Sequence, residues 1–261
     1  MTTSDPTDPK HAATQALACL DLTSLNTGDT EADIERLCER AQGRFGPVAA
    51  VCVWPRLAAL ARQRLPATIR VAAVANFPEG GTDVQRALRD VGEIVDAGGQ
   101  EVDVVLPWQA LLAGDTAAAT AVLAAARRAS TGLTLKVILE TSMLGSADAM
   151  ARASRLALAE GADFLKTSTG KVPGGATPEA ARVLLGAIAA DTAAAGRVGF
   201  KASGGVRSVA DAALYLRLTA EVLREAACVP ARFRIGASGL LDDIEAVLSG
   251  QAPPSAPAGG Y

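Results

Sequence analysis

Five lysines are spread through a 261-residue chain that also carries twenty arginines, and three of them, Lys136, Lys166 and Lys201, sit inside apolar runs. An ammonium group in such a run is costly to take out of water, so it is paired, gives up its proton, or reacts. Residues 161–171 (GADFLKTSTGK) show the pattern most clearly. A short apolar strand ends on Lys166, then breaks into a Thr/Ser/Gly turn that carries Lys171. Carboxylates interrupt two other apolar runs: Asp21 within residues 17–22, and Asp103 within 101–106, where it shares a strand face with Glu101 and Val105.

Such a set serves either as a structural ion-pair network or as a reactive amine with its supporting charges. For the amine, the chemistry is attack on a carbonyl. A free lysine is only about 0.04% neutral at pH 7, and only the neutral form attacks. Lowering its pKa by about 3 units takes roughly 4 kcal/mol. One ammonium at ~4 Å supplies about that much at an effective dielectric near 20, against ~1 kcal/mol in bulk water. Lys166 and Lys201, on consecutive strands, are the expected pair. Schiff-base chemistry is the natural use of such a pair, with Asp103 and a water available as proton carriers.

A second group of residues has the makings of an anion cradle. Ser203-Gly204-Gly205 follows the strand of Lys201, and Gly236-Ala237-Ser238-Gly239 leads from the next strand into a helix. Glycines let backbone N–H groups approach an anion, and a helix N-terminus adds partial positive charge. Thr169-Gly170-Lys171 adds a direct charge nearby. Any one of these turns is ordinary loop punctuation; three on adjacent loops point to a phosphate.

Positioning these groups requires a regular scaffold, and the hydrophobic pattern supplies one. Strand-like runs fall at residues 17–22, 48–53, 69–75, 101–106, 134–140, 163–167, 198–202 and 232–236. Alanine-rich helical patterns lie between them, at 30–42, 56–64, 82–97, 116–129, 147–159, 177–190, 209–227 and 240–248. Thr30 and Thr177-Pro178 look like helix starts. Eight strand–helix alternations predict an α/β fold, a single-domain (β/α)8 barrel, whose polar inward residues gather at the C-terminal strand ends. A doubly wound sheet lacks its G-x-G-x-x-G turn. The barrel is expected over residues 1–249, with 1–10 a frayed leader before a short helix and 250–261 a flexible Pro/Gly-rich tail.

Composition removes several alternatives. A net charge of −3 without a basic run argues against nucleic acid or an anionic membrane, and no apolar stretch approaches a membrane span. Histidine occurs once, at His11, so a histidine triad or a multi-histidine metal site is hard to build. The four cysteines (Cys19, Cys38, Cys52, Cys228) form no C-x-x-C pair, which fits free thiols in a reducing cytoplasm.

The residues in place, the chain resembles the deoxyribose-phosphate aldolases. The resemblance is carried by residues 20–25 (LDLTSL), 51–56 (VCVWPR), 135–141 (LKVILET), 164–171 (FLKTSTGK), 199–207 (GFKASGGVR) and 233–238 (FRIGAS). It implies a cytoplasmic class I aldolase without metal or organic cofactor. Such an enzyme reversibly cleaves 2-deoxy-D-ribose 5-phosphate to acetaldehyde and D-glyceraldehyde 3-phosphate in deoxynucleoside catabolism. Lys166 matches the Schiff-base lysine, Lys201 its neighbour and Asp103 the acid/base. Asp21, Thr23, Cys52, Lys136 and Thr169 fall at substrate-lining positions, and Gly170, Lys171, Gly204, Gly205, Gly236, Ser238 and Gly239 at phosphate contacts. The family often has a second serine where this chain has Gly239, which removes one hydroxyl and keeps a backbone donor. Tyr261 corresponds to a terminal tyrosine that assists proton transfer, and eleven residues of tail at ~3.3 Å each reach up to about 36 Å. A homo-oligomer, a dimer first of all, is the expected assembly. Another lysine-dependent phosphosugar aldolase or transaldolase, and a non-catalytic sugar-phosphate-binding barrel, are the alternatives.

Overall fold

The computed structural model describes residues 8–251. Eight parallel strands pair in sequence order and close, β8 against β1: β1 (Leu20–Thr23), β2 (Ala50–Val53), β3 (Arg70–Ala75), β4 (Glu101–Val105), β5 (Thr134–Ile138), β6 (Phe164–Lys166), β7 (Gly199–Ser203) and β8 (Phe233–Ala237). This is the expected (β/α)8 barrel. Parallel strands need crossovers, and helices supply them on the outside.

Helix starts carry the side chains that satisfy orphan N–H groups. A first helix, α1 (Pro9–Ala18), begins one residue after Asp8, whose carboxylate accepts from the Lys10 N–H. Thr30 and Asp33 close a capping box on α2 (Glu31–Arg40), and Trp54 precedes α3 (Pro55–Arg64). Asp83 caps α4 (Val84–Asp96). A short α5 (Trp108–Leu112) precedes α6 (Thr116–Ala129), capped by Asp115. A four-residue α7 (Thr141–Leu144) precedes α8 (Ala147–Ala159), capped by Ser146. Thr177 caps α9 (Pro178–Ala190), Ser208 with Asp211 caps α10 (Val209–Leu223), and α11 (Leu240–Ser249) closes the barrel.

Three expectations need correction. The apolar run at residues 17–22 does not form one strand: Leu17 belongs to α1 and the strand starts at Leu20. The frayed leader is shorter than ten residues, since Pro9 and Lys10 are helical under the Asp8 cap. The helix expected over 209–227 stops at Leu223, because Arg224 adopts φ 74°, and a 3-10 turn follows at Glu225–Ala227.

Strand alternation sorts the core into two layers. Outward residues, such as Leu20, Val51, Val102, Val137, Leu165, Phe200 and Ile235, pack under the helices. Inside the barrel, one side is apolar, formed by Cys52, Ala72, Val74, Val105 and Ile138 with Leu25 and Phe77 at the rim. The rest of the interior holds the charged residues Asp21, Glu101, Asp103, Lys136, Lys166, Lys201 and Arg234, with Phe164, Gly199, Ser203 and Gly236 between them. Gly250, at φ 70°, caps α11, and the tail from residue 252 on, with Tyr261, lies outside the described residues.

Candidate active site

Every ionisable strand residue expected to face inward does so. Asp21, Asp103, Lys136 and Lys201 are 0% exposed and Lys166 is 3% exposed. Strand pairing sets Asp103 beside Lys136 and Lys166 beside Lys201. The centre is the Asp103 carboxylate. Its Oδ2 accepts from Lys166 Nζ at 2.8 Å and from Lys201 Nζ at 2.8 Å, while its Oδ1 accepts from Lys136 Nζ at 2.7 Å. Because both ammonium groups bond one oxygen, Lys166 and Lys201 lie within a few ångströms of each other. Lys201 also donates to Asp21 Oδ2 in a very short contact. Thr23, half-buried at the end of β1, donates its hydroxyl to the Asp21 carbonyl at 2.8 Å.

The electrostatics separate the three amines. Burial pushes the Lys166 ammonium below the ordinary lysine range; Asp103 pulls it back up and Lys201 pushes it further down. Burial acts on Lys201 in the same direction, but Asp103 and Asp21 outweigh it and hold this ammonium above its usual range. Lys136 is raised too: burial is outweighed by Asp103 and Glu101. At Asp103, burial favours the acid form, and the three lysines reverse this, holding the carboxyl well below the carboxylate range. Lys201 therefore helps to depress Lys166, as expected, but burial is the larger cause.

The loops that follow β6, β7 and β8 lock together around the mouth. Thr167 Oγ1 donates to the Ser203 carbonyl at 2.9 Å, and Ser203 Oγ donates to the Ser168 carbonyl at 2.6 Å. Ala176 N–H donates to the Gly204 carbonyl at 2.9 Å. Gly175 and Gly204, both at positive φ, pack backbone to backbone: a Cβ on Gly204 would come 2.8 Å from Cα of Gly175. Gly205, also at positive φ, is exposed beside them, as are Gly170 and Lys171 across the loop. Ser238 and Gly239 are exposed at the start of α11, and no side chain caps that helix. Asp243 Oδ2 accepts from the Val209 N–H at 2.6 Å, tying the starts of α10 and α11 together. Gly236 lies within β8, where a Cβ would come 3.0 Å from Cε of Lys201. Its glycine makes room for that lysine.

The sequence profile of the DeoC/LacD family aldolases matches residues 15–243. The chain belongs to the DeoC/LacD aldolase family. A deoxyribose-phosphate aldolase of Agrobacterium fabrum (strain C58) is 45% identical over 256 residues, 97% of each chain. Among solved structures, the aldolase QR15 superposes with TM-score 0.75 at 28% identity, covering 90% of this chain and 96% of its own. The deoxyribose phosphate aldolase of Aeropyrum pernix, described as tetrameric, shares the fold with TM-score 0.71 at 23% identity, over 92% and 96% of the two chains.

This DeoC/LacD aldolase holds more charge at its centre than residue types alone suggested. Glu101 and Arg234 complete the cluster: Arg234 Nη1 bonds Asp21 Oδ1 at 2.6 Å, Nη2 bonds Glu101 Oε1 at 2.8 Å, and Lys136 Nζ lies 2.6 Å from Glu101 Oε2. The alternation that flagged Lys201 would have flagged Arg234, two residues before Gly236 on the inward face. Glu140 was also missed as a site residue. It stands at φ 56°, 1% exposed, and accepts from the Thr169 N–H and hydroxyl. Thr169 Oγ1 in turn accepts from the Lys171 N–H at 3.0 Å, so Glu140 sets the turn that presents Lys171. No sequence pattern marks a left-handed glutamate. Cys52 lies in the apolar wall with its Sγ 3.9 Å from Asp103 Oδ2, and burial, reinforced by that carboxylate, raises its thiol pKa. Among the described residues, no three His, Cys, Asp or Glu side chains are grouped to hold a metal ion, and no helix is long and apolar enough to cross a membrane.

Proposed function

We infer that the chain is a Schiff-base aldolase acting on 2-deoxy-D-ribose 5-phosphate, with Lys166 as the covalent amine. The observation that carries this is the convergence of Lys166 and Lys201 on one oxygen of Asp103, with Lys166 the amine held below its ordinary range. Neutral Lys166 adds to the C1 aldehyde of the open-chain sugar, and the carbinolamine takes up a proton from solvent as its hydroxyl leaves as water, giving a protonated imine. The C3 hydroxyl then loses its proton, the C2–C3 bond breaks, and its electron pair passes to the imine nitrogen as an enamine. D-Glyceraldehyde 3-phosphate leaves. Protonation at C2 and addition of water release acetaldehyde and restore the amine.

With the Lys136 and Lys201 ammonium groups bonded to it and the protonated imine nitrogen beside it, Asp103 is a weak base. It gains basicity as the Lys166 nitrogen loses its charge in the enamine, so its proton transfers, relayed by water, belong to that stage. The apolar wall of Cys52, Val74, Phe77 and Ile138 suits the two-carbon fragment and keeps bulk water from the enamine. The phosphate is assigned to Lys171, Gly204, Gly205, Ser238, Gly239 and the uncapped start of α11, where N–H groups and helix charge favour an anion. A coupled assay tests the reading: glyceraldehyde 3-phosphate should be released from 2-deoxy-D-ribose 5-phosphate, with acetaldehyde accepted as donor in reverse. Turnover only with dihydroxyacetone-type donors would make the protein a different aldolase; binding without turnover would make it a binding barrel.

A further inference from the structure

Four cationic side chains and three carboxylates share the closed interior of this barrel: Lys136, Lys166, Lys201 and Arg234 against Asp21, Glu101 and Asp103. Their ion pairs are unequally distributed. Lys136 pairs with all three carboxylates, Lys201 with Asp21 and Asp103, and Arg234 with Asp21 and Glu101. Lys166 pairs with Asp103 alone. Arg234 is 5% exposed, its guanidinium bonded to two carboxylates and the Pro230 carbonyl and standing 5.7 Å over the Phe164 ring. A guanidinium does not deprotonate in a protein.

We propose that Arg234 is a positioning residue that sets the protonation state of Lys166: a fixed cation beneath the cluster leaves one positive charge in excess, and the excess proton leaves the amine with the fewest carboxylate partners. The proposal rests on the reading of Lys166 as the imine-forming amine. Asp103, Lys201, Cys52 and Glu140 act on Lys166 directly, and Asp21 from β1, Glu101 from β4, Lys136 from β5 and Arg234 from β8 complete the cluster through shared ion pairs. On β3 the buried inward residues Ala72 and Val74 are uncharged, and Arg70, on the same face at the start of the strand, is exposed to solvent. Glu140 forms no ion pair with Lys166; its carboxylate holds Thr169. Lys136 and Lys201 are both held above their usual range and Lys166 below it, the order that the partner count requires.

Two unit charges roughly 10 Å apart at an effective dielectric near 20 shift one another by about one pH unit, a tenfold change in neutral amine. The test uses the full chain as Arg234→Gln, Glu101→Gln, the double variant and Arg234→Lys. Acetaldehyde and cyanoborohydride label the amine, and peptide mass spectrometry follows labelling at Lys166 against pH. Arg234→Gln should move half-maximal labelling about one unit to higher pH, and Glu101→Gln should move it to lower pH by a similar amount. The double variant and Arg234→Lys should return it to the wild-type position. If Arg234→Gln does not fold, Glu101→Gln still decides: an acid displacement supports the proposal, and an unmoved or alkaline midpoint overturns it. Weaker labelling in both single variants without opposite displacement would mean a purely structural role and also overturns it. Wild-type labelling at another lysine would instead overturn the functional reading, and the proposal with it.

Discussion

Lys166 differs from its neighbours by what it lacks. Lys136 and Lys201 have enough carboxylate partners to remain charged in the interior, whereas Lys166 has one, shared with two other amines. Burial then works against its charge, and Lys201 adds a like charge close by. Replacing Lys201 with leucine removes that repulsion. Since the neutral amine reacts, activity rises as pH climbs through the Lys166 pKa, and a higher pKa moves this limb upward. An ammonium near 4 Å is worth about 3 units at an effective dielectric of 20, of which burial retains a part, so Lys201→Leu should lose about 100-fold in kcat/KM near neutral pH. Profiles of kcat/KM from pH 6 to 10 check this; rates close to wild type at pH 7 would contradict it. At this scale the sequence was informative because an ionisable residue in a short apolar strand stands out. Glu140 did not stand out, since its role comes from a left-handed backbone at a strand end.

At the scale of elements, the proposed anion site draws on the loops after β6, β7 and β8 and on the start of α11. The contact between Gly175 and Gly204 joins the loops after β6 and β7, and the bond from Val209 to Asp243 joins α10 to α11. An alanine at residue 204 brings a Cβ against Gly175 and a positive φ that costs an L-residue about 1–2 kcal/mol. Gly204→Ala should therefore raise KM for the phosphorylated sugar roughly tenfold, while acetaldehyde labelling of Lys166 changes little. Steady-state kinetics beside the labelling assay separate the two. An equal loss in both would show that these loops hold the amine rather than the phosphate. The strand–helix alternation made the elements legible, and their ends less so. Residues 17–20 are apolar enough for helix or strand, and α5 and α7 are too short for a helical period to show. Arg224 ends α10 with a positive φ that no glycine announced.

On the scale of the whole molecule, the barrel gathers buried amines and carboxylates and leaves Lys166 with fewer carboxylate partners than Lys136 or Lys201. Closing eight strands puts charges from six of them in contact, although Asp21 and Arg234 are separated by most of the chain. Outward faces pack under helices, and the inner apolar side shelters one flank of the charges. The barrel was readable from pattern, because eight alternations with inward polar residues admit few other closures. The balance of four cations and three carboxylates was not, because it depends on which inward residues reach one another across the barrel. The most direct measurement is borohydride reduction in the presence of acetaldehyde, followed by peptide mapping of every lysine. A two-carbon adduct on Lys166, absent from Lys136, Lys171 and Lys201 and abolished in Lys166→Arg, is the predicted result. An adduct on another lysine, or full aldolase activity in Lys166→Arg, would contradict it.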